Sequence, residues 1–214
     1  MWLKEMLDSS VGKKLLMAVT GLFFCFFLVV HLIGNLFLYG GKDAFNAYAE
    51  HLHSLGPILN VAEILMLVFA AVHILTGIRL FIQNRTARPV RYQVNKSGGG
   101  SSIGSKSMPY TGLAILLFVI LHLVKFHFAD HGSLTIYDVV NNAFSNLYVM
   151  GFYVTVMLIL AVHVSHGLWS AFQTFGLNHK KYNPGIKAAS LIFSIMVGTG
   201  FGFIPIWISF LCKY

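Results

Sequence analysis

Charge is scarce in this chain. Asp, Glu, Lys and Arg make up 10% of the 214 residues while hydrophobic residues make up 57%, and the mean hydropathy is +0.73. Soluble domains carry about 25% charged residues, so this balance excludes an ordinary soluble protein and moves the search for function into a bilayer. Cysteine is scarcer still, with only Cys25 and Cys212, far apart, one inside the first apolar segment and the other at the end of the last. Without a CxxCH or a paired CxxC, covalent c-type haem, iron–sulfur clusters and structural zinc have no support in the sequence. Acidic residues number 7 against 15 basic ones, a net charge of +8. That excess could suggest nucleic acid, but its distribution argues against it.

What is abundant is long apolar sequence. Crossing the roughly 30 Å hydrocarbon core takes about 20 mainly apolar residues as helix, and five segments qualify, at about 15–39, 57–81, 109–127, 146–175 and 188–211. Backbone in lipid must satisfy its own N–H and C=O groups, so each is read as an α-helix. The expected fold is an all-α membrane protein, one bundle of five transmembrane helices in a single domain. The first span is too long and too rich in bulky aromatics for a cleaved signal peptide and is expected to stay in the mature chain.

Lys4, Lys13 and Lys14 precede the first span. Arg79, Arg85, Arg88, Arg91, Lys96 and Lys106 flank or fill the second connection, and Lys180, Lys181 and Lys187 lie around the fourth. The other side holds only Lys42, Lys125 and Lys213. The positive-inside rule then puts the N-terminus in the cytoplasm and the C-terminus outside. The basic connection at about 85–107 contains a Gly- and Ser-rich stretch, Asn95 to Ser105, with the composition of a flexible linker. It reads as a solvated connection, or as a docking face for a soluble partner.

Four histidines sit one each inside four of the spans, in contexts that echo in pairs: VVHLIGNLF at His31 and ILHLVKFHF at His122, AAVHILTGI at His73 and LAVHVSHGL at His163. Intramembrane ionisable groups are functional suspects by default. At 1.5 Å rise per residue, His31 lies roughly 25 Å beyond Lys14 and His122 roughly 21 Å beyond Met108, sharing a level toward the outer side. His73, roughly 24 Å beyond Pro57, and His163, roughly 25 Å beyond Asn146, share a level nearer the cytoplasm. Two imidazoles on different helices at one depth can take both axial positions of a non-covalent haem. A six-coordinate iron has no open position, which suits electron transfer better than oxygen activation. Two such sites, something like 10 Å apart in depth, would form a wire across the membrane.

Gly77 and Gly167 fall four residues after their histidines and Gly34 three after His31, on the same helical faces. They are expected either to let a porphyrin approach the backbone or to allow close helix packing. His166, three residues after His163, faces nearly the same way and is read as a haem-edge neighbour. His163 is preferred as ligand because it carries the A-V-H-x-x-x-G echo of His73. Arg79 is a candidate partner for a haem propionate, or an interfacial anchor. The outer connections hold Asp43, Glu50, His51 and His53 in one and Asp130, His131 and Asp138 in the other. Among these, Glu50 and His53, with Glu63 in the second span, are the candidates for proton exchange with a quinone.

Four pieces of sequence carry a family resemblance: His31 with LIGNLFLYGGKDAFN, the VAEILM segment before His73, His122, and the HVSHGLWS run from His163 to Ser170. The chain resembles the five-helix, two-haem cytochrome b subunit of succinate:quinone oxidoreductases, the group that includes bacterial menaquinol:fumarate reductases. The resemblance implies two b haems, with His31 and His122 on the distal one and His73 and His163 on the proximal one. It implies an iron–sulfur subunit and a flavoprotein with covalent FAD on the cytoplasmic face, dicarboxylate chemistry in that flavoprotein, menaquinone near the outer end, and the bacterial cytoplasmic membrane as location. Membrane lipid surrounds such a subunit, and the complex can pair as a dimer. Some fumarate reductases of this type carry a glutamate two residues before the fourth-helix ligand, where this chain has Ala161. Competing readings are the di-haem anchor of a hydrogenase or formate dehydrogenase, and a transporter using histidines as zinc or proton sites.

Overall fold

The computed structural model describes residues 2–87, 103–129 and 132–212. All regular structure among these is helical. A short α1 (Trp2–Asp8) leads into α2 (Ser10–Leu36), and a single 3₁₀ turn, Phe37–Gly40, connects to α3 (Lys42–Ser54). Then follow α4 (Pro57–Thr86), α5 (Ile103–Phe126), α6 (Ile136–Phe144), α7 (Leu147–Thr174) and α8 (Asn183–Phe210). Five of these are long and apolar enough to cross a membrane, the five expected from hydropathy, and the protein is a multi-pass membrane protein. Several run past the expected limits: α4 continues to Thr86 and α5 starts at Ile103. The supposed linker is therefore helical at both ends, and its middle, with Arg88, Arg91 and Lys96, lies outside the described residues, as do Asp130, His131 and Lys213.

Local chemistry sets the helix ends. Ser9 Oγ accepts from Gly12 N at 2.9 Å to start α2, and Asn146 Oδ1 accepts from Tyr148 N at 2.9 Å to start α7, each satisfying an N–H that helix geometry leaves free. Thr135 and Asp138 form a reciprocal capping box on α6. Gly56, with φ of 51°, turns the chain from α3 into Pro57 at the first turn of α4; only glycine holds that backbone region without strain, and proline suits a first helical turn.

Helices α2, α4, α5 and α7 form a ring. Helix α2 packs on α4 and α7, α5 packs on α7 and more lightly on α4, and α8 lies along α7 and α2. The diagonal pairs of this ring, α2 with α5 and α4 with α7, make at most marginal backbone contact. One end of the bundle carries the basic residues around the start of α2, the end of α4 and the start of α8. The other is capped by α3 and α6, so the stretches expected as short outer loops are largely helical. At this capped end Leu38, Phe45, Val140, Phe144, Tyr153, Ile204 and Ile208 form the hydrophobic core cluster. Ser209 Oγ donates to Phe144 O at 2.5 Å, fastening α8 to α6.

Candidate functional site

Each histidine of a pair comes from a helix diagonally opposite its partner's, so the side chains converge inside the ring. His31 on α2 and His122 on α5 have ring centroids 6.1 Å apart with planes at 87°. Imidazole nitrogens about 2 Å from one metal place two ring centroids about 6 Å apart when they bind from opposite sides. The spacing of this pair leaves room for one metal ion held between the two rings. His73 on α4 and His163 on α7 are likewise within electrostatic reach of each other. All four rings are half-buried.

Aromatic walls hold the pair nearer the capped end. His31 stacks on Phe27 at 5.1 Å and leans on Phe201 at 5.5 Å; His122 is flanked by Phe118 at 5.7 Å and Phe126 at 5.2 Å. The Tyr153 hydroxyl stands 3.5 Å from His122 Nδ1, at the limit of hydrogen-bond distance.

The pair nearer the basic end is held by hydroxyls instead. Thr20 Oγ1 lies 2.8 Å from His73 Nδ1, and Thr111 Oγ1 lies 3.0 Å from His163 Nδ1. Both hydroxyls also reach a carbonyl of their own helix, Leu16 O at 2.6 Å and Ser107 O at 3.0 Å. One hydroxyl proton cannot serve both partners. The assignment that satisfies every atom has Oγ1–H donating to the carbonyl and Nδ1–H donating to Oγ1. Each neutral ring then keeps its Nε2 lone pair for a metal. Among the described residues no three His, Cys, Asp or Glu side chains gather into a metal cage. The donor set of paired neutral imidazoles across an aromatic-lined gap fits a haem.

Sequence reading missed Thr20 and Thr111, although the signal was there. Met17, Thr20, Gly21, Leu22 and His31 recur at one fixed offset as Met108, Thr111, Gly112, Leu113 and His122. The contacts repeat with them. A Cβ on Gly21 would meet His73 Cε1 at 3.6 Å, and one on Gly112 would meet His163 Cε1 at 3.4 Å. The glycines chosen from sequence have other neighbours. Gly77 faces Met17 and Gly167 faces Met108, while the Tyr48 side chain fills the space over Gly34. Thr20, beside His73, lies roughly 16 Å of helix rise from His31, more than the 10 Å expected between the two levels.

His166 is, like His73, within electrostatic reach of His163. It meets Trp169 edge-on at 5.6 Å, and a Cβ on Gly104 would fall 3.0 Å from its Cβ, so it packs toward the start of α5. Trp169 in turn donates to Asn183 Oδ1 at 2.9 Å and lies under Lys187 Nζ at 4.4 Å, tying the HVSHGLW run to the start of α8. Arg79 and Glu63 are exposed on α4. Glu50 and His53 share a cleft of about 220 Å³ at the capped end with Asn46, Ala49, Thr135 and Ile136; Glu63 does not line it.

Ring, diagonal pairing and spans together define a helical membrane protein built around two interhelical imidazole pairs. A model of the family described as succinate dehydrogenase/fumarate reductase transmembrane subunit matches residues 14–99, which include most of α2 and all of α3 and α4. The chain is also 29% identical over 154 residues to the succinate dehydrogenase cytochrome b558 subunit of Bacillus subtilis (strain 168), covering 71% of this chain and 72% of that relative. No solved structure matches.

Proposed function

We propose that this chain is the membrane anchor and electron-transfer subunit of a succinate:quinone oxidoreductase and holds two b haems. His31 with His122 would ligate one near the capped end, and His73 with His163 the other near the basic end. The diagonal meeting of two histidine pairs inside one four-helix ring carries this reading, and the similarity to a succinate dehydrogenase cytochrome b subunit supports it. Bound haem supplies one-electron transfer. The chain's own contribution is to fix four imidazoles in ligating orientation and to keep water away with Phe24, Phe27, Phe118 and Phe201, which pack against the histidines.

The basic end would face the bacterial cytoplasm and receive an iron–sulfur subunit carrying a flavoprotein with covalent FAD, where succinate and fumarate react. The capped end would exchange electrons and protons with menaquinone. The cleft shared by Glu50 and His53 sets a carboxylate and an imidazole side by side, the pair of groups such proton exchange uses. Arg79, at the basic end of α4, is the candidate for a propionate partner, and Glu63 for a second proton donor.

A haem-to-chain ratio with a redox titration of the complex purified from membranes tests the reading. Two low-spin haems and a co-purified covalent flavin are expected. A single haem overturns half of the ligand assignment, a nickel or molybdenum partner points to a hydrogenase or formate dehydrogenase anchor, and the absence of a Soret band leaves the transporter reading.

A further inference from the structure

We infer that Thr20 and Thr111 are positioning residues that lock the His73–His163 pair and lower the reduction potential of the haem held there. The inference rests on the di-haem reading and goes beyond it, assigning the two levels different electronic surroundings. Threonines inside membrane helices routinely return their hydroxyl to a carbonyl one turn back. That habit accounts for the bonds to Leu16 O and Ser107 O. It does not account for both hydroxyls standing within 3.0 Å of a histidine Nδ1 on a neighbouring helix. Nor does it account for both occurring at the same position of an internal repeat, with glycine next in each case.

An imidazole whose Nδ1–H donates to an oxygen becomes a more basic ligand through Nε2, because electron density moves into the ring. A more basic ligand favours ferric over ferrous iron and lowers the potential. At the basic end both imidazoles have such an acceptor, itself held by a helix carbonyl. At the capped end His31 is held by aromatic rings and His122 faces a hydroxyl only at 3.5 Å. Among the described residues, hydroxyls within 3.0 Å of both imidazoles of a pair occur at one level only, nearer the basic end.

The test is a redox titration, with low-temperature electron paramagnetic resonance, of the whole complex carrying Thr20→Val, Thr111→Val or both, alongside Thr20→Ser and Thr111→Ser. Valine keeps the shape and removes the hydroxyl; serine keeps the hydroxyl. The expected result is an upward shift of one haem's midpoint in each valine variant, larger in the double, with the other haem unmoved and the serine variants close to the parent. Where valine blocks assembly, Thr20→Ala and Thr111→Ala are titrated in its place. Retained haems with unmoved midpoints overturn the inference, as does a shift of equal size in the serine variants, which would mark packing as the cause. A parent complex with fewer than two haems would instead defeat the proposed function.

Discussion

Gly198 of α8 lies directly on Ala161 of α7: a Cβ on the glycine would fall 2.8 Å from Ala161 Cβ and 3.2 Å from Met157 O. This close approach lies in the most extensive helix pair among the described residues. The two helices meet through a pair of small residues, as membrane helices do when their backbones approach closely. The facing helix occupies the space that a longer side chain at Ala161 would need.

Ala161→Glu is therefore expected to force α7 and α8 apart. Overpacking a seam of this kind costs about 1–3 kcal/mol, and a carboxylate there would lack a partner as well. The detergent-purified Glu variant should melt below the parent, with Ala161→Ser in between. Equal melting of parent and Glu variant would mean that the seam yields freely.

Tyr48 closes over Gly34 in a related way. Its ring comes within 2.9 Å of where a Cβ would stand, and the same ring stacks on Phe37 at 4.8 Å and 10°, docking α3 onto the end of α2. Gly34→Ala should displace Tyr48 and destabilise by about 1–3 kcal/mol. In the background of Tyr48→Ala the same substitution should cost markedly less, since contacting residues couple by about 0.5–3 kcal/mol. Additive losses in a double-mutant cycle of thermal melts would show that the two side chains do not share this space.

Both seams mark where sequence reading stops. Hydropathy over 20-residue windows shows where helices cross, because lipid imposes a single condition on every residue of a span; all five appear in the structure. The shared level of His31 and His122 could be counted because both lie on spans that run the same way across the membrane, and their rings stand 6.1 Å apart. Helical spacing gives the face on which Gly34, Gly77 and Gly167 lie but not what covers that face, and the covering groups prove to be Tyr48, Met17 and Met108. The helices α3 and α6 were hidden because their polar residues read as loop, whereas their apolar sides, with Phe45, Val140 and Phe144, close the capped end. Thr20 and Thr111 were missed for a different reason. A threonine in a span looks like filler until its register against a histidine on another helix is known.

Ligand substitutions separate the two levels. On the proposed pairing, His31→Ala and His122→Ala each remove or disturb the same haem, and His73→Ala and His163→Ala remove the other, so each variant should lose one of the two. His166→Ala should keep both, because that ring packs on Trp169 and against Gly104. Reduced-minus-oxidised spectra of the purified complex report the outcome. Coupling of His31 and His73 to a single haem, or loss of a haem on replacing His166 with His163 intact, would contradict the pairing.

The cap has its own pH dependence, set by Asp138. Lys42 Nζ donates to both carboxylate oxygens at 2.8 Å and Thr135 Oγ1 donates to one of them at 2.7 Å. The Lys42 bonds foremost, then the Thr135 hydroxyl, hold the Asp138 carboxyl below the usual carboxylate range. A carboxyl depressed in the folded state contributes stability that is complete above its unfolded value, about 3.9, and is lost as pH falls through the folded value. Attachment of α6 to α3 is thus expected to be flat between pH 5 and 8 (about one unit above that value and beyond) and to weaken only in stronger acid. The effect is small because the ion pair is open to solvent. Hydrogen exchange across 135–144, corrected for intrinsic rates, should show increased opening of the parent below about pH 4, and Asp138→Asn should show more opening at neutral pH with that acid dependence gone. Opening of the parent that stays unchanged in acid, or an acid dependence that persists in Asp138→Asn, would remove Asp138 from control of the cap.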